Sequence, residues 1–146
     1  MSKKQENPSR GFITVATKEK QFLIGAKNLL ESILEQDESL KMTLFTEQRF
    51  IDDPDCQSNL VGFDQIIATP GDHIREKMWG MANSPYDETF YMDADCEVVD
   101  ADIINVFDHL KDDLDMVYVN LTKQGARHFV EWDWGPNLYD DGWRGV

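Results

Sequence analysis

Hydrophobic and polar positions fall into blocks of two different periods along this chain. Gly11-Phe-Ile-Thr-Val-Ala-Thr17 is a nearly continuous apolar, β-branched run, the pattern of a strand buried on both faces. From Glu19 to about Gln36 the period changes. Phe22, Leu23, Ala26, Leu29, Leu30, Ile33 and Leu34 recur at helical spacing, which predicts an amphipathic helix. Lys41-Met-Thr-Leu-Phe-Thr46 predicts a second strand, and Gln65-Ile-Ile-Ala-Thr69 a third, stopped by Pro70-Gly71. Between them, Asp52-Asp53-Pro54-Asp55 reads as a polar loop broken by proline.

A helix is expected from Asp72, a suitable N-cap, to Asn83. After the turn Ser84-Pro85-Tyr86-Asp87, Glu88-Thr-Phe-Tyr-Met92 predicts a fourth strand running straight into Asp93-Ala94-Asp95. Val98-Val99 predicts a short strand, Ala101 to Leu110 a helix around Ile103, Ile104, Phe107 and Leu110, and Asp115 to Asn120 a further strand. Residues 1–10 read as a disordered lead and 121–146 as an aromatic, acidic tail. Strands alternating with helices point to an α/β sandwich with a mostly parallel central sheet. Ligands of such sheets gather at the carboxyl ends of the strands, which places Thr17 and Asp93 to Asp95 on one rim.

Composition narrows the partners. Lys and Arg total 14 against 28 Asp and Glu, a formal net charge of -14. Such a surface repels a phosphate backbone and anionic lipid, so neither nucleic acid nor a membrane is an expected partner. A divalent cation is the more natural companion of a carboxylate-rich chain. The polar amino terminus lacks an apolar signal core. No run approaches the ~20 apolar residues of a membrane span. The expected location is cytoplasmic. Cys56 and Cys96 form no CxxC pair, so a structural zinc site has no support. Cys96 reads as a small buried filler, and Trp79 and Met81 as core.

The candidate chemistry sits at the end of the fourth strand. Asp93 and Asp95 lie one residue apart, and a bend there can aim both carboxylates at one cation. Mg2+ and Mn2+ take oxygen ligands and often share them with substrate phosphates. Ala94 is small enough to let a ligand come close. An Asp-x-Asp pair alone is weak in so acidic a chain; Asp53-Pro54-Asp55 and Asp100-Ala101-Asp102 are two more. The apolar strand leading into Asp93 sets this pair apart. An EF-hand reading fails, because its sixth position is Val98 rather than Gly and its twelfth Ile104 rather than Glu. Dinucleotide-binding glycines, a phosphate loop and a serine-hydrolase elbow are all missing.

The stretch Lys77-Met-Trp-Gly-Met-Ala-Asn-Ser-Pro-Tyr-Asp-Glu-Thr-Phe-Tyr-Met-Asp-Ala-Asp95 resembles glycosyltransferase family eight, glycogenin and its relatives. The opening Phe12-Ile-Thr-Val-Ala-Thr17, with Gly25 in the helix after it, and the Val106-Phe107 helix extend the likeness over roughly residues 11–120. The resemblance implies a GT-A fold, Rossmann-like, that binds a nucleoside diphosphate sugar, usually UDP-linked, with Mn2+ or Mg2+. It implies a nucleotide pocket lined by Val15 and Thr17. Phe22 falls where relatives often stack a Tyr on the base. Lys77 would face the diphosphate or sugar, Asp93 and Asp95 would hold the metal, and the Ala94 backbone would lie near the ribose. The family's third metal ligand is a distant His; His73, His109 and His128 are not at metal-site spacing. The implied activity is hexose transfer with retention of configuration to an unknown acceptor. The chain ends at Gly142-Trp-Arg-Gly-Val146, about where an acceptor-binding half begins in that family, so the expectation is a donor-binding half at 11–120. A non-catalytic nucleotide-sugar or metal-binding module is the alternative from another class. A nucleotidyltransferase is a third reading, weakened because its basic, glycine-rich loop after the first strand is lacking.

Overall fold

The computed structural model describes residues 7–71 and 75–110. The chain divides into two compact units, Met1–His109 and Leu110–Val146, and all but the first residue of the second lies outside the described range. The expected strand at 115–120, the aromatic tail, His73 and His128 therefore fall outside it too.

Four strands form one parallel sheet: β1 (Arg10–Ala16), β2 (Met42–Thr46), β3 (Gln65–Ala68) and β4 (Glu88–Tyr91), in the order β3-β2-β1-β4. The two central strands are the most apolar runs. β2 is buried throughout, whereas β4 is half-buried along its length. This is the economy of a parallel sheet, whose inner strands need apolar side chains on both faces. Helix α1 (Lys20–Gln36) covers one face with Leu23, Ala26, Leu29, Leu30 and Ile33, against Phe12 and Ala16 of β1 and Met42 and Leu44 of β2. Phe90 and Phe107 meet the Phe12 ring edge-on at 5.8 and 5.2 Å, a favoured geometry for aromatic quadrupoles. On the opposite face, the short α3 (Glu76–Ala82) sets Trp79 edge-on to Phe45 at 5.9 Å, and Val15 points to Gly80.

Several expectations are corrected. Asp52 to Asp55 is not simply loop. A one-turn helix α2 (Gln48–Ile51) precedes it, and Pro54 opens a 3-10 helix, Pro54–Asn59. Asp53 caps that helix by accepting from the Asp55 N–H at 2.9 Å, and proline suits the first turn because its missing N–H is not needed there. Val98-Val99 forms no strand. Val98 is a buried plug whose N–H is taken by Ser32 Oγ at 2.9 Å, and Val99 is 82% exposed. The segment Ala101–His109 is helical, but of the tighter 3-10 type; Phe107 is buried while Ile104 faces out. The expected 72–83 helix starts at Glu76 among the described residues. Cys96 is exposed and it is Cys56 that fills the core; both are free thiols. Trp79 is half-buried and Met81 is exposed.

Candidate functional site at the carboxyl rim

The strand order puts a reversal beside β1. The chain steps outward from β1 to β2 to β3, then returns to β1's other side as β4. At such a switch point the connections leave in opposite directions, and a crevice opens outside the carboxyl ends of the two strands. β1 leads here into Thr17, and β4 leads through Met92 into Asp93-Ala94-Asp95. The pairing Ile13↔Tyr91, followed by the Met92 N–H on the Ile13 carbonyl at 3.1 Å, brings the two ends side by side.

Asp93 to Cys96 is a tight turn, closed by the Cys96 N–H on the Asp93 carbonyl at 3.0 Å. Asp93 and Asp95 are both exposed. The Tyr91 hydroxyl donates to Asp93 Oδ1 at 2.7 Å, which holds that carboxylate in one orientation. Burial raises the Tyr91 hydroxyl far above the usual tyrosine range, and the bond to Asp93 and the charges of Asp93 and Asp95 add to it. Tyr91 is thus a neutral donor to Asp93. Asp95 opens onto a groove of about 330 Å³, lined by Asn28, Glu31 and Glu35 of α1 together with Cys96 and Glu97. Burial, then the charges of Asp95 and Asp93, push the Cys96 thiol up. It stays protonated at neutral pH and is a poor nucleophile.

Ala94 also has a packing role. It is buried, with its side chain in the cluster of Leu23, Ala26 and Leu44. Its carbonyl oxygen would stand 2.6 Å from a Cβ at Gly25. The glycine in mid-helix is therefore a packing residue, letting α1 close on the acidic turn. The small Ala94 serves the same contact.

The other expected residues lie on β1, α1 and α3. Val15 is half-buried against α3, and Thr17 is half-buried at the strand end. Phe22 is 42% exposed on the first turns of α1, off the face that meets the sheet. Lys77 is exposed on the first turn of α3. That turn adjoins the carboxyl end of β3, for Glu76 reaches within 3.7 Å of the Cβ position at Gly71. Among the described residues no ion pair joins Lys77 to Asp93 or Asp95, and no third acidic, His or Cys side chain completes a metal cluster with them.

One rim residue carries no sequence signal. Lys18, directly after Thr17, has φ +77°, the one non-glycine residue with positive φ among those described. The Glu19 N–H reaches back to the Thr17 carbonyl at 3.0 Å, the rare γ-turn with a left-handed centre. Tyr91 was more accessible to reading: alternation along a strand puts residues 91 and 93 on one side. Comparison with protein-family models finds no match, and no curated protein matches the chain.

Proposed function

We propose that the crevice at the β1–β4 switch point binds the diphosphate of a nucleoside diphosphate sugar, and that the chain is the donor-binding part of a metal-dependent hexosyltransferase of GT-A type. The observation that carries this reading is the position of Asp93-Ala94-Asp95: an exposed acidic turn at the carboxyl end of β4, beside the end of β1, where parallel sheets take their ligands.

The donor set fits a hard divalent cation. Mg2+ and Mn2+ are held by one or two carboxylates and complete their shell with water and phosphate oxygens. Asp93 and Asp95 supply two carboxylates, one of them pre-oriented by Tyr91. Bound there, the cation would neutralise charge developing on the departing diphosphate. Lys77, on a short helix at the same rim, supplies a second positive charge toward that leaving group. Thr17 and Val15 border the nucleotide, and the exposed Phe22 ring offers a π-face to the base, without the hydroxyl a tyrosine would bring. The acid pair, a lysine and a crevice at the strand ends form a set suited to holding a diphosphate while its bond to a sugar breaks.

Calorimetry of the chain with UDP, with and without Mn2+, tests this. Metal-dependent binding is expected, and Asp95→Ala should abolish it. Equal titrations with and without metal would overturn the reading. UDP-glucose bound but neither hydrolysed nor transferred would favour a binding module over an enzyme.

A further inference from the structure

The turn that ends β1 is held from outside. The Lys18 N–H donates to Glu47 Oε2 at 2.5 Å, and Arg49 Nη2 donates to the Lys18 carbonyl at 2.8 Å. Arg49 Nε in turn binds Glu47 Oε1 at 2.8 Å, and its guanidinium lies 4.4 Å from the Phe50 ring centroid. Phe50 is buried in the α1-side cluster, so the pair stands on a fixed base. Glu47 and Arg49 thus grip both peptide groups of one residue, and that residue holds a conformation its Cβ disfavours. Strained backbone persists only where its surroundings over-determine it, and it concentrates at ligand sites.

We infer that Glu47 and Arg49 are positioning residues: they clamp Lys18 in its left-handed turn and so set the β1 wall of the switch-point crevice. The inference rests on the donor-site reading for what the crevice binds, but the clamp is testable without it. Glu47 spends its two oxygens on the Lys18 N–H and the Arg49 guanidinium, so its route to the crevice is the turn. Without the clamp, a non-glycine residue would leave the left-handed region for most of the time. Ligand affinity falls by the fraction of chains that remain competent.

The test uses the full chain and two readouts. NMR measures the intraresidue amide-to-Hα distance of residue 18, which is short only at positive φ. Calorimetry measures affinity for UDP with Mn2+. Glu47→Ala should lose the short distance and weaken UDP binding roughly 5- to 30-fold. Glu47→Gln keeps an acceptor for the Lys18 N–H and should retain the short distance. In a Lys18→Gly background the turn needs no clamp, so adding Glu47→Ala should change affinity less than about twofold. A short distance surviving in Glu47→Ala overturns the clamp. A lost distance with unchanged UDP affinity overturns the positioning role. If the unaltered chain binds no UDP, the donor reading and the positioning role fall together, and the NMR distances still decide the clamp.

Discussion

The two ends of the β1–β4 pair are built in opposite ways. At the amino end side chains cross-link the two strands and their neighbours, although one buried oxygen of Glu88 has no partner among the described residues. Ser9 donates from its N–H and hydroxyl to Asp87 Oδ2 at 2.9 and 3.1 Å and accepts the Asp87 N–H at 2.9 Å. Arg10 pairs with Glu88 at 3.2 Å. The Tyr86 hydroxyl is shared between Thr43 at 2.8 Å and Asp64 at 3.0 Å, and burial raises it well above the usual tyrosine range. At the carboxyl end two aspartates stand exposed, one tied only to Tyr91. A left-handed lysine is held there by residues of another segment. The same pair of strands is cross-linked by side chains at one end, beside a cavity of about 310 Å³, and left acidic and strained at the other. Side chains spent on fastening cannot also meet a ligand, so the contrast agrees with the placement of the ligand proposed above.

Glycine substitutions probe the contrast most strongly. A Cβ at Gly11 would lie 2.2 Å from the Tyr86 ring, and that ring is pinned by its two hydroxyl contacts. Gly11→Ala should cost about 3 kcal/mol, the upper part of the range for overpacking. Gly25→Ala meets the Ala94 carbonyl, a backbone atom, at 2.6 Å. Here overpacking of about 3 kcal/mol is offset by the ~1 kcal/mol alanine gains in a helix interior. Urea denaturation should show both losses. UDP titration should show that the second, smaller one harms binding more, because it moves the acidic turn. If Gly11→Ala impaired binding as much as Gly25→Ala among folded molecules, the division of labour between the ends would fail.

Much of this architecture is legible from periodicity, and the exceptions have physical causes. β1 and β2 read as strands because burial on both faces leaves a continuous apolar run. α1 reads as a helix because only one stripe touches the sheet. The one-turn Gln48–Ile51 helix is too short to carry a period. Val98 and Val99 carry strand propensity, yet Ser32 takes the Val98 N–H that a ladder would need. The aspartate pair is visible from its strand. The rest of the rim is not, because it is written in contacts between distant segments. Lysine gives no hint of a left-handed turn, and the Glu47–Lys18 bond that fixes it spans 29 residues. Gly25 is legible as a glycine inside a helix, but only packing shows that its neighbour is the acidic turn.

Removing one hydroxyl at each end sharpens the comparison at lower energy. Tyr86→Phe leaves the fully buried Thr43 hydroxyl without that partner and should cost about 1–2 kcal/mol. Tyr91→Phe frees an exposed carboxylate that water can solvate, so it should cost under about 1 kcal/mol. Its larger effect should be on metal-dependent UDP binding, through the lost orientation of Asp93. Thermal unfolding of the two variants gives the order, and the reverse order would mean that the rim is the better-fastened end.

Acid should loosen the rim through Glu47. The hydrogen bond from Arg49 holds its carboxyl below the ordinary value of 4.5, with the Lys18 N–H adding to the effect and burial opposing it. A group depressed in the folded state stabilises above its unfolded pKa and loses that contribution as pH falls through the folded one. The charge of Glu47 is therefore present at neutral pH and is lost as pH falls through that depressed value, below the ordinary 4.5. Protonated Glu47, like Gln, keeps a carbonyl acceptor for the Lys18 N–H, so the residue-18 distance should stay short while the charged pairing with Arg49 is lost, seen as a fall in the urea midpoint. Glu47→Gln has no such titration and should lack that step. A transition common to both proteins would assign the change to other carboxylates.

The smallest expected effect has the opposite sign. Lys18→Gly removes a Cβ that costs about 1–2 kcal/mol in a left-handed conformation. It also adds about 0.5–1 kcal/mol of backbone entropy to be lost on folding. The variant should therefore be more stable by roughly 0.5 kcal/mol, seen as a slightly higher urea midpoint at unchanged slope. A lower midpoint would mean that the turn is relaxed and that the rim carries no strain to explain. A gain would mean that stability is given up at position 18, at the acidic end of a sheet whose other end is cross-linked by side chains. That is the pattern expected where a backbone conformation serves a ligand rather than the fold.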